Sequence, residues 1–80
     1  MILIKVKFKN IEDVNRFVDI CEQFPFDIDA KVNHYIVDAK SLLGIIALGL
    51  QNEFEIIPHA DNLSDNMNMI NTIKVFSIQK

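Results

Sequence analysis

Residues 2 to 8 alternate, with Ile2, Ile4, Val6 and Phe8 on one side and Leu3, Lys5 and Lys7 on the other. That is the two-residue period of a strand with one buried face. From residue 11 the period changes. Ile11, Val14, Phe17, Val18, Cys21 and Phe24 recur at spacings of three and four, which predicts an amphipathic helix. Asn10 is placed to cap it, Asp13 is the acidic residue three positions on, and Glu12 and Asp13 both suit the positive helix end. The Phe24-Pro25-Phe26 break ends the helix.

Alternation then returns. Ile28, Ala30 and Val32 alternate with Asp29 and Lys31, and Tyr35, Ile36 and Val37 follow an Asn33-His34 turn, so a β-hairpin is expected. Residues 42 to 48 predict a short helix with Ser41 as its cap and Gly49 as a left-handed stop. Gly44 inside it costs about 1 kcal/mol of intrinsic propensity, so packing must hold this helix. Glu53 to Pro58 reads as the fourth strand, with Pro58 closing the ladder. A last helix starts between Asp61 and Ser64 and runs to about Phe76, with Leu63, Met67, Ile70, Ile73 and Phe76 on its apolar side. The order βαββαβα predicts an α/β open-faced sandwich, a four-stranded and mainly antiparallel sheet with its helices on one face.

Composition narrows the class. Eighty residues make one domain, 1–80, and half of them are hydrophobic, six being phenylalanine. A chain this short buries only about 60% of its unfolded surface, yet that content supports a core without a staple. Cys21 is the sole cysteine, and with two histidines there is no zinc-ligand spacing, so neither metal nor cofactor is expected. Cys21 lies on the apolar stripe with Phe17 and Phe24, where a buried, unreactive thiol is expected. A net charge of −3 gives no basic footprint for nucleic acid. The lysines at 5, 7 and 9 interrupt an alternating strand, which is no signal peptide. The uncharged run from Ser41 to Asn52 falls short of the roughly 20 residues a membrane helix needs. These features suit a soluble protein of the reducing cytoplasm.

The segment FDIDAKVNHYIVDAKSLLGIIALGL, Phe26 to Leu50, resembles the HPr family, the histidine-containing phosphocarrier proteins of the bacterial sugar phosphotransferase system. The family pattern is a hairpin with Asn at its turn, a valine, Lys-Ser, two apolar residues, Gly, and a short apolar helix ending in Leu-Gly. This chain supplies Asn33, Val37, Lys40, Ser41, Leu42, Leu43, Gly44, Leu48 and Gly49 without a gap. The resemblance implies the same open-faced sandwich. It also exposes a departure: the family's phosphorylated histidine aligns with Asn10, its arginine with Glu12 and its proline with Asp13. A phosphoryl acceptor there needs an imidazole and cationic or N–H stabilisation, whereas Glu12 and Asp13 repel phosphate.

Ser41 has two readings. As an N-cap it contributes about 1 kcal/mol and needs no regulation; the resemblance also makes it the family's regulatory phosphorylation site, where about −2 of charge beside Leu42 and Leu43 would block an apolar partner. Leu42, Leu43 and Ile46 match the family's apolar docking patch, while Ile45 and Leu48 are placed to face the sheet. Burial of all five in the core is the plain alternative. His34 and His59 are read as exposed polar residues with no acid/base partner nearby in sequence. The Met67 and Met69 pair is read as gap-filling.

The leading expectation is therefore an HPr-like regulatory or protein-interaction module without phosphocarrier activity, not an enzyme, that binds a protein partner through the 41–50 helix. It is similar to the catabolite-repression variant of HPr, which also lacks the histidine and keeps the serine. Two other readings stay open: a phosphocarrier using a relocated His34 or His59, and a structural subunit forming a homodimer through the apolar patch.

Overall fold

The computed structural model describes residues 4–78. Its elements are β1 (Ile4–Val6), α1 (Ile11–Glu22), β2 (Ile28–Val32), β3 (Tyr35–Asp38), α2 (Leu42–Leu48), β4 (Phe54–Pro58), α3 (Leu63–Ile73) and a 3₁₀ turn (Lys74–Phe76). The strands form one sheet in the order β1-β4-β2-β3, every neighbouring pair antiparallel. The two connections that carry α1 and α2 each pass over one intervening strand, and α1 packs on both α2 and α3. This is the open-faced sandwich expected from the order of periods.

The period-2 pattern fixes which face is covered. Ile28, Ala30 and Val32 of β2 and Phe54, Ile56 and Pro58 of β4 are buried, while Asp29, Lys31, Glu55 and Ile57 between them are half-exposed on the open face. The pairs Lys5↔Glu55 and Glu55↔Lys31 set opposite charges side by side on that face. Under the helices, Phe8, Phe17, Phe54 and Phe76 form an aromatic cluster with centroids 5.0 to 5.8 Å apart. Pro58 causes no broken ladder bond with β2. His59 N–H donates to the Asp27 carbonyl, so the alternation points residue 58 away from β2.

Three expectations need correction. The first strand stops at Val6, although Phe8 remains buried; Ile2 and Leu3 lie outside the described residues. Ile11 heads α1 but is exposed, because the first turn projects beyond the core. In α3 the buried residues are Met69, Ile73 and the following Phe76, with Ile70 half-buried, whereas Leu63 and Met67 are exposed. Asn66 lies half-buried on the same side as Met69, Ile70 and Ile73, its Oδ1 accepting the Ala60 N–H at 3.3 Å, so the packed face starts from a polar residue instead of from Leu63 and Met67.

Candidate functional site

The amino end of α1 is a closed capping arrangement. Asn10 Oδ1 accepts the Asp13 N–H at 2.9 Å, and Asp13 Oδ2 accepts the Lys9 N–H at 3.2 Å. The other Asp13 oxygen accepts from the Arg16 guanidinium at 2.7 Å. Arg16 also lies 5.9 Å from the centre of the Phe76 ring. The single arginine of the chain is therefore held by a carboxylate of the first turn of α1. Glu12 is exposed beside it. The sequence reading paired Glu12 with the family arginine and did not consider Arg16, whose i,i+3 spacing from Asp13 was the available signal.

The amino end of α2 is built by the hairpin and α1 together. Asp38 Oδ1 accepts the Lys40 N–H at 2.9 Å, and its carbonyl accepts the Ser41 N–H at 2.9 Å. The Lys40 ammonium donates to the Phe24 carbonyl at 2.7 Å, which ties the second residue after α1 to the residue before Ser41. Lys40 thus supplies a cation near the negative end of α1, a helix with no basic residue in its last turn. Ser41 Oγ accepts the Gly44 N–H at 3.1 Å, the N-cap geometry.

Gly44 has a packing explanation. A Cβ there would meet Ser41 Oγ and Val37 Cβ, each at 3.2 Å, so the missing side chain lets α2 sit close to β3 and leaves room around the serine. Gly49 ends the helix at φ +103°, a conformation that L side chains rarely adopt. Within α2, Ile45 is fully buried and Leu43 is 79% exposed. Leu42 and Ile46 are half-buried, Leu42 packing on the edge of the core, as does Leu48. Leu43 is thus the most exposed of the large apolar side chains on this helix.

The histidines lie elsewhere. His34 is exposed at the hairpin turn, next to Asn33 with its φ of +56°. His59 has an acid partner that its sequence neighbours did not reveal: Nε2 is 2.8 Å from Asp29 Oδ2. A shallow depression there is lined by Asp27, Asp29, Asp38 and His59. Alternation puts residues 29, 57 and 59 on the open face, but only the β2–β4 register brings His59 to Asp29. Cys21 is buried, and desolvation raises its thiol from 9.0 to about 12 despite the nearby Lys40. Among the described residues there is no group of three or more acidic, histidine or cysteine side chains suited to a metal, and no helix long and apolar enough to cross a membrane.

The fold has solved counterparts. HPr-C-His from Thermoanaerobacter tengcongensis superposes with a TM-score of 0.71 at 21% identity, over 91% of this chain and 90% of the other. The histidine-containing phosphocarrier protein of Mycoplasma gives a TM-score of 0.73 at 15% identity, over 99% and 98%. No protein-family model and no curated protein matches the chain in sequence. The fold is thus that of HPr, from end to end and at low identity.

Proposed function

We propose that this chain is an HPr-like protein-interaction module that carries no phosphoryl group on histidine, is not an enzyme, and binds a protein partner through Leu42, Leu43 and Ile46. Ser41 is the residue at which that binding is switched. The observation that carries the reading is the contrast between two helix ends in one HPr fold. At α1, Asn10 caps and Asp13 holds Arg16, so neither an imidazole nor a free guanidinium faces that end. At α2 the cap is intact, and the neighbouring Leu43 side chain stands 79% exposed.

A phosphoserine at position 41 would place about −2 of charge one and two residues from Leu42 and Leu43. An apolar partner surface would then have to desolvate that charge. The test is capture from the bacterial cytoplasm with wild type, Leu43→Asp and Ser41→Asp as baits. A partner retained by wild type and lost from both variants is expected; the same partners on all three baits would count against the reading.

The phosphocarrier reading keeps one supporting fact, the likeness of the fold to phosphocarrier proteins. Its best acceptor, His59, faces Asp27, Asp29 and Asp38, whose carboxylates oppose an incoming phosphoryl group. Incubation with phosphoenolpyruvate and the phosphotransferase enzyme should leave the chain unlabelled. Acid-labile phosphohistidine at His34 or His59 would establish the phosphocarrier instead.

A further inference from the structure

The two edges of the sheet are treated differently. Beside β1 the chain returns as a cover: Lys7 N–H donates to the Phe76 carbonyl, Ile78 N–H donates to the Lys5 carbonyl, and Val6 bridges to Ser77. Nothing among the described residues runs beside β3, the opposite edge. Ala39 N–H donates to the Ile28 carbonyl, so alternation turns the backbone groups of Val37 and Tyr35 inward to β2 and those of Ile36 and Asp38 outward. Asp38 already uses its carbonyl on Ser41. The Ile36 N–H and carbonyl and the Asp38 N–H face outward with no partner strand.

Natural edges are commonly blunted by proline, lysine or a bulge. The strand Tyr-Ile-Val-Asp has none of these, and it exposes Tyr35 at 65% and Ile36 at 57%. Its remaining charge, Asp38, sits four residues from His34 in sequence. When two copies run antiparallel with the dyad at Ile36, the isoleucines exchange both backbone bonds and face each other on the open side. Tyr35 meets Val37 on the helix side, and Asp38 falls opposite His34 of the second copy. Moving the dyad to Val37 sets the Asp38 carboxylate against the apolar Ile36, which offers it no side-chain donor. The pairing of an imidazole donor with a carboxylate acceptor selects the first register.

We infer that β3 is a self-complementary edge through which two copies of this chain join their sheets antiparallel about Ile36, with His34 of each facing Asp38 of the other. This surface is separate from Leu43, so it stands or falls apart from the partner binding proposed above.

Sedimentation velocity from roughly 10 μM to roughly 1 mM, with amide exchange on the same samples, reads the association. A dimer that grows with concentration is expected, with increasing protection of the Ile36 and Asp38 amides. Ile36→Lys changes an exposed side chain and should weaken association about tenfold or more, as should the like-charge variant His34→Asp. His34→Lys should retain the dimer, and so should Leu43→Asp. A monomer throughout, or a dimer untouched by Ile36→Lys, would overturn the edge; a dimer lost in Ile36→Lys but indifferent to His34→Asp would overturn the register.

Discussion

At Ser41 the hydroxyl does a job that alanine cannot. Ser41→Ala should lower stability by about 1 kcal/mol in urea unfolding, while Ser41→Asp keeps an acceptor for the Gly44 N–H and costs less. Next to it, Gly44→Ala should fail to recover the roughly 1 kcal/mol of helix propensity that alanine normally returns, because its methyl group meets Ser41 and Val37 at 3.2 Å. Full recovery in the same measurement would mean that α2 is free to withdraw from β3. Cys21 gives a pH signature. The folded thiol holds its proton more tightly than the unfolded one, so its contribution is complete below the ordinary value of 9.0 and is lost as pH rises toward about 12. Unfolding of wild type and Cys21→Val across that range should show the steeper alkaline loss in wild type; parallel curves would contradict it. At this scale the sequence revealed Asn10 and Ser41 as caps because capping is local. It did not reveal the His59–Asp29 pair or the Lys40 tie, because each joins residues at least 16 positions apart.

The elements were legible where one period had no rival. The β2–β3 hairpin and α1 follow from alternation and the three-four stripe, and their registers agree with the turn at Asn33 and the cap at Asn10. In α3 the stripe read from the sequence holds for Ile70, Ile73 and Phe76, but Met69 takes the buried place while Leu63 and Met67 are exposed. The packed side includes the polar Asn66, half-buried with its Oδ1 accepting the Ala60 N–H, which a search for apolar residues alone passes over. The exposure of α2 was legible only as a choice between core and patch. Seating Ile45 inward leaves Leu43 outward, since residues two apart on a helix lie about 200° around its axis. Leu43→Asp should therefore change stability by no more than about 0.5 kcal/mol, against about 2 kcal/mol or more for Ile45→Ala. Comparable losses in the two variants would show Leu43 to be a packing residue.

For the whole molecule, the fold is that of HPr, and the amino end of α1 is filled by its own side chains, Asn10 capping and Asp13 holding Arg16. The net charge of −3 leaves no general attraction for polyanions. Sequence periods were sufficient for the architecture, and the resemblance was strongest at residues 33 to 49, where the observed caps and glycines have local causes. The open β3 edge was not legible, because strand order decides which strand is outermost. The most direct test of the central claim is quantitative binding of one captured cytoplasmic partner to wild type and Leu43→Asp, with both folds verified by amide exchange. Loss of binding by about 2 kcal/mol or more in the variant, with exchange unchanged, is the expected result for an exposed anchor. Equal affinities for the two proteins would contradict the claim that α2 is the binding surface.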